Sequence, residues 1–286
     1  MGKGQPKSAG RAAAGLNLAV ILLRKQNRGW VSTAAVVLAS VIGVAIAWQR
    51  WGVPSLEGDD YLVSEDKIVV TPQPAWIHTN VKADCVRALA GMQLMLLDRE
   101  LVEKIGSAFT LHPWVAEVVR VEKRYPAQVN VELEYRRPVL VVKLDGPGDE
   151  GLLFLDEHAV LLPSTDFAPS QARNYLRIAA AGETPSGVYG VPWKSERIGG
   201  AAAIAAAVET QWQSVGLYWI VAARIGSGEL VYELRSQDDK FRLIWGRPPG
   251  QESSGEPTAQ QKVAALKQLT RDGGSAEPKT LDLRQP

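Results

Sequence analysis

Between Trp30 and Trp51 the chain reads WVSTAAVVLASVIGVAIAWQRW, and from Val31 to Trp48 it carries no charge. At ~1.5 Å of rise per helical residue the charge-free core covers about 27 Å, close to the ~30 Å hydrocarbon thickness of a bilayer. Few structures are open to such a run in lipid, where every backbone donor and acceptor must be satisfied within the segment, as a helix does. The pattern predicts a transmembrane helix over 30–51. Trp30 at one end and Trp48 with Trp51 at the other stand where interfacial indoles anchor a span. Lys3, Lys7, Arg11, Arg24, Lys25 and Arg28 all precede the first acidic residue, Glu57. Residues 1–29 are therefore expected as a basic cytoplasmic arm, with everything after Trp51 across the membrane. Two readings compete with the anchor: a buried core helix, which would be unusual with tryptophans at both ends, and a cleaved leader, since Ala45-Ile46-Ala47 has the small-x-small pattern of a signal peptidase site. The long arm and the bulky Trp48 favour the anchor. The earlier apolar run, Leu16 to Leu23, is too short to cross and suits the membrane surface.

From Gly52 to about Glu65 the composition is polar and acidic, which reads as a linker over 52–65. A chain of 286 residues at 46% hydrophobic has room for about two domains with their own cores. The first is expected over 66–144. Ile68 to Thr71 is a short β-branched run suited to a strand. Val81, Cys85 and Leu89 repeat every fourth residue behind Asn80 as a cap, with Gly91 as a stop. A second helix is expected with Asp98 as its cap and Leu101, Ile105, Ala108 and Phe109 on one face. Val119, Val121 and Tyr125 then alternate with Arg120, Glu122 and Arg124. Val129, Val131, Leu133 and Tyr135 alternate with Asn130, Glu132, Glu134 and Arg136. The two strands form a hairpin on Tyr125-Pro126-Ala127-Gln128, with Pro126 in the second turn position. Strand, helix, helix, strand, strand is an α+β layer with two helices on one face of a small sheet.

The second domain, 145–286, is strand-rich with two helices. Leu152 to Leu155 turns on Asp156-Glu157-His158-Ala159 and returns through Val160 to Leu162. Further strands are expected at Leu176 to Ala179, Leu217 to Ile225, Leu230 to Arg235 and Phe241 to Trp245. One helix runs from about Glu196 to Val215, with Ala201, Ile204, Val208, Trp212 and Val215 inward. The other has Pro257 in its first turn and the stripe Val263, Leu266, Leu269. PPGQESSGE lies between them as an exposed loop. Thr280, Leu281, Asp282, Leu283 and Arg284 read as a last strand, with the two leucines alternating against Asp282 and Arg284.

Catalytic constellations are sparse. A net charge of +1 gives no basic excess of the kind nucleic-acid binding needs. The single cysteine, Cys85, excludes an intramolecular disulfide framework and a cysteine zinc cluster, and its helical position makes it a core residue. His78, His112 and His158 have no paired ligand at helical spacing. There is no Gly-x-Ser-x-Gly elbow and no phosphate-binding glycine loop, and the glycines of GETPSGVYG do not open a helix. Adjacent carboxylates at Asp59-Asp60 and Asp238-Asp239 read as solvated turns. Neither an enzyme nor a cofactor is expected.

His112-Pro113-Trp114-Val115, the alternating valines, Arg124-Tyr125-Pro126 and the exit Glu134-Tyr135-Arg136-Arg137-Pro138 together resemble the POTRA domain of the bacterial FtsQ/DivIB cell-division family. The similarity extends from about residue 20 to the closing Leu-Asp-Leu-Arg at 281–284. Membership implies a non-enzymatic, single-pass scaffold of the inner membrane at the division septum. Its POTRA unit would contribute to recruitment, with His112, Pro113, Trp114, Tyr125, Pro126 and Pro138 as a structural signature. Its β domain would bind small coiled-coil divisome subunits that link it to the cell-wall synthase complex. Residues 280–284 would be the partner-binding edge, to which a partner strand is added. The alternatives are a POTRA-bearing export adaptor of the envelope and a secreted enzyme released at Ala47.

Overall fold

A computed structural model describes residues 28–52, 61–145, 151–185, 187–226, 228–271 and 279–285. Most of the basic arm, the run Leu16 to Leu23 and most of the linker lie outside these residues. The chain divides into two compact units, Met1–Leu62 with Tyr125–Ala127, and Val63–Arg124 with Gln128–Pro286.

In the first unit, helix α1 spans Arg28–Ala47 and runs into a π-helical turn at Trp48–Gly52. Ser32–Gly52 is long and apolar enough to cross a membrane. Its hydroxyls need no water: Ser32 and Thr33 donate to the Gly29 carbonyl and Ser40 to that of Val36, each at 2.8 Å. Trp30, Trp48 and Trp51 are all exposed.

The second unit begins with strand β1 (Ile68–Val70), then helices α2 (Val81–Ala88) and α3 (Leu101–Thr110), then strands β2 (Val115–Arg124) and β3 (Gln128–Tyr135). The three strands form a sheet in the order β1-β3-β2, with β1 parallel and β2 antiparallel to β3. Asn80 caps α2 by accepting the Ala83 N–H at 3.0 Å, and Gly91 takes φ 91° just beyond its end. Asp98 does not cap α3 at N2 or N3; its carboxylate accepts the N–H of Glu100, the residue before the helix, and the Lys104 ammonium. Leu101, Ile105 and Phe109 are fully buried on one face of α3. At Gly106 a Cβ would lie 3.8 Å from Val121, an ordinary packing distance that places this side of the helix against β2.

The alternation expected along β2 holds only in part. Val121 is half-buried, but Val119 is 53% exposed and Tyr125 68% exposed. The ladder shifts register between Val118 and Arg120; Val119 is the extra residue of this bulge, and the strand changes faces there. The hairpin tip also departs from a simple proline turn: the Tyr125–Pro126 peptide is cis and Ala127 takes φ 44°.

The remaining strands are β4 (Leu140–Lys143), β5 (Leu152–Leu155), β6 (Leu176–Ala179), β7 (Leu217–Arg224), β8 (Leu230–Ser236), β9 (Phe241–Gly246) and β10 (Lys279–Asp282). They form a seven-stranded mixed sheet in the order β10-β9-β8-β7-β6-β4-β5. β4 falls inside the expected 66–144 unit yet is hydrogen-bonded into this sheet between β5 and β6. After β5 the chain turns at Ala159 (φ 56°) and returns as isolated bridges at Val160 and Leu161.

Helices α4 (Glu196–Ala207) and α5 (Ala259–Arg271) supply the other half of the core. Ile198, Ala201, Ala202, Ile204 and Leu266 are fully buried in one cluster with Leu234, Leu243 and Trp245 from the sheet. Burial of a large apolar side chain contributes about 1.5–3 kcal/mol. α4 is shorter than expected. It ends at Ala207 and residues 208–216 continue as turns, where β-branched Val208 and Thr210 are weak helix formers. Trp212 remains buried nevertheless. Pro257 lies outside α5: Thr258 caps it, its N–H donating to Gln261 Oε1 at 2.8 Å and its hydroxyl accepting the Gln261 N–H at 3.4 Å. The preceding loop is not simply exposed, because Pro248 and the Glu256 side chain are buried.

Candidate partner-binding surface

β10 is the last strand of the seven-stranded sheet and lies parallel to β9, with Leu281 opposite Leu243 and Asp282 opposite Ile244. The ladder continues one residue further, through the Leu283 N–H to the Ile244 carbonyl at 2.9 Å. By alternation Leu281 and Leu283 turn their backbone groups toward β9, leaving those of Thr280 and Asp282 on the free side. Among the described residues no strand pairs with that side. Leu283 is 6% exposed and Leu281 packs beside it on the core. Thr280, Asp282 and Arg284 project from the other face. Arg284 holds Asp282 with Nε 3.0 Å from Oδ1 and Nη2 2.7 Å from Oδ2. This guanidinium keeps the Asp282 carboxyl below its usual range.

A cavity of about 460 Å³ opens beside the end of β10, lined in part by Glu256, Gln261, Lys262, Leu283 and Gln285. Lys262 is 1% exposed. Its ammonium lies 2.6 Å from Glu256 Oε1 and 5.1 Å from the Trp245 ring centre. Glu256 also accepts the N–H groups of Arg247 (2.9 Å, Oε1) and Ser253 (3.0 Å, Oε2). Burial raises the Glu256 pKa, but Lys262 and the two N–H donors outweigh it and hold the carboxyl below its usual range. At Gly246, φ is 89° and a Cβ would stand 2.2 Å from Glu256 Oε1. Glycine is what leaves room for this pair.

Trp114 is fully buried. Its indole N–H donates to Asp166 Oδ2 at 2.8 Å, and Asp166 also takes the Thr79 N–H at 3.2 Å and the Thr79 hydroxyl. Beside it Phe167 stacks on Phe154 at 3.8 Å. Arg136 pairs with Asp156 at 2.7 Å, and Asp156 further accepts the N–H groups of His158 and Val160. These contacts tie the three-stranded layer to the seven-stranded one. His112 follows α3 and accepts the Trp114 N–H at 3.3 Å, with Asp84 3.8 Å from its other nitrogen. Pro113 packs against Gly190, where a Cβ would lie 3.1 Å from its Cα. Pro138 is buried between β3 and β4, whereas Tyr125 and Pro126 stand exposed at the hairpin tip. The signature residues are thus dispersed along the fold and do not converge on one cleft.

His78 bonds the Asp166 carbonyl at 2.8 Å and His158 is exposed in a turn. Among the described residues no three His, Cys, Asp or Glu side chains form a group able to hold a metal ion. Burial pushes the Cys85 thiol up to about 12, which leaves it without nucleophilic thiolate at neutral pH. Lys262, Glu256, Asp166 and the Arg136–Asp156 pair had not been anticipated. Only Lys262 left a signal, as a charged residue one turn before Leu266 on the inward stripe of α5. No known family model matches the sequence, and no curated protein matches it.

Proposed function

We propose that the chain is a non-enzymatic single-pass membrane scaffold of the FtsQ/DivIB type, which grips partner proteins at the division septum. The observation that carries this reading is the free edge at 280–284, whose leucines are locked into the core while its outer backbone groups stay open. An edge fixed in this way accepts an extended segment without rearrangement, and main-chain hydrogen bonds supply the affinity. The order strand-helix-helix-strand-strand before the larger sheet supports a POTRA unit followed by a β domain. The apolar helix supports an inner-membrane anchor with the basic arm in the cytoplasm and both folded layers outside. The partners are then small coiled-coil division proteins that lead to the cell-wall synthase complex.

The test is photo-crosslinking from Thr280 and Asp282 in dividing cells, with a fluorescent fusion to follow position. Capture of membrane division proteins, lost in Thr280→Pro, is the expected result. A fusion spread evenly around the envelope, with normal septation after depletion, would remove the proposal.

A further inference from the structure

The outer face of the seven-stranded sheet, opposite α4 and α5, carries a row of side chains that no fold requirement explains. Register places Arg177 of β6 opposite Trp219 of β7, Trp219 opposite Arg235 of β8, and Arg235 opposite Arg242 of β9. All four are half-buried. Arg235 and Arg242 are neutralised by Glu233 and Asp239. Arg177 is not. Of the half-buried arginines among the described residues, it alone has no carboxylate within ion-pair distance. It is nevertheless held in place, its guanidinium 4.7 Å from the Tyr218 ring centre, while Tyr218 packs edge-on against Trp219 at 5.6 Å. Arg177 Nε is out of contact with solvent and has no hydrogen-bond partner.

A guanidinium laid on an aromatic ring loses little further freedom when it binds, and its flat fork matches a carboxylate. Arginine, tyrosine and tryptophan side by side are also the residue types that dominate binding energy at protein interfaces. We propose that Arg177, Tyr218 and Trp219 form a second docking surface, separate from the β10 edge, for an acidic polypeptide segment of a partner protein. A partner carboxylate pairs with Arg177, and the apolar residue next to it packs on Trp219. This inference does not depend on the edge reading or on the division role.

The test uses the full chain in detergent micelles and a fluorescein-labelled peptide, Ser-Gly-Glu-Leu-Glu-Leu-Glu-Gly-Ser, followed by anisotropy. Its control peptide has glutamine for each glutamate. The glutamate peptide should bind at least tenfold more tightly, with a preference that shrinks as salt is raised. Arg177→Gln should abolish the preference, Arg177→Lys should retain part of it, and Trp219→Ala should weaken both peptides. Melting temperatures of the variants separate lost binding from lost folding. Thr280→Pro should leave the preference intact, so the edge and the outer face fail or survive independently. Equal binding of the two peptides, or an undiminished preference in a folded Arg177→Gln protein, overturns the proposal. Displacement of the peptide by phosphatidylglycerol vesicles but not by unlabelled peptide would assign the surface to lipid and also overturn it.

Discussion

Replacing Glu256 with Gln tests how much of the sheet's stability rests on the ion pair beneath β10. Both carboxylate oxygens are occupied by donors: Oε1 takes the Lys262 ammonium and the Arg247 N–H, and Oε2 takes the Ser253 N–H. An amide offers one acceptor where two are needed, so its NH2 must face a donor. It also leaves Lys262, whose side chain is 0% exposed, without a countercharge. Removing one partner of a buried pair costs about 3–5 kcal/mol. For a domain of this size, at about 2–4 °C per kcal/mol, the melting temperature should fall by about 6–20 °C. Circular dichroism melts of the full chain in detergent would measure it. Acid provides a second arm. A carboxyl held below its usual range contributes stability that is present above its unfolded pKa of about 4.3 and is lost as pH falls through its folded value. The gap between wild type and Glu256→Gln should therefore narrow below about pH 4. Lys262→Met combined with Glu256→Gln should recover much of the loss, because the unpaired charge is gone. A single-variant loss under about 1 kcal/mol at pH 7 would refute the reasoning, since it would mean that the Lys262 ammonium reaches water.

Three further outcomes are expected. Trp114→Phe removes the 2.8 Å donor to the buried Asp166 carboxylate and should cost about 1.5–3 kcal/mol in urea denaturation; a neutral change would mean that water replaces the indole. Gly246→Ala meets both the positive φ and the Glu256 carboxylate, so a loss greater than about 1 kcal/mol is expected, and an unchanged melt would be incompatible with this packing. Cys85 should resist iodoacetamide at pH 8 in the folded protein and react once denatured, given its thiol pKa of about 12; rapid labelling of the native chain would contradict its burial.

Periodic elements were the legible part of this fold. Leu101, Ile105 and Phe109 announce α3, and Val129, Val131 and Leu133 announce β3, because side-chain spacing reports which face is dry. What lies against that face is not written in the spacing. The strand pattern could not show that Val119 is a bulge, since a bulge is a mismatch between two strands. Nor could it show that Trp114 would meet Asp166 across 52 positions, or that Arg136 would find Asp156. The edge at 280–284 was readable as a strand from its two leucines, but its neighbour β9 and the cavity beside it emerge only from the assembled sheet. Arg177 left no trace at all, because its isolation is a property of what surrounds it.

The carboxylates at Asp166 and Asp156 carry a consequence for how the second unit comes apart. Each is enclosed, at 7% and 3% exposure, and each is satisfied by a donor from the smaller layer. Peeling that layer away would give up the Trp114–Asp166 and Arg136–Asp156 contacts together and open the Trp114–Phe167 packing to water, so partial detachment is disfavoured. The two layers should melt in one cooperative transition, and tension arriving through one of them would be borne by both.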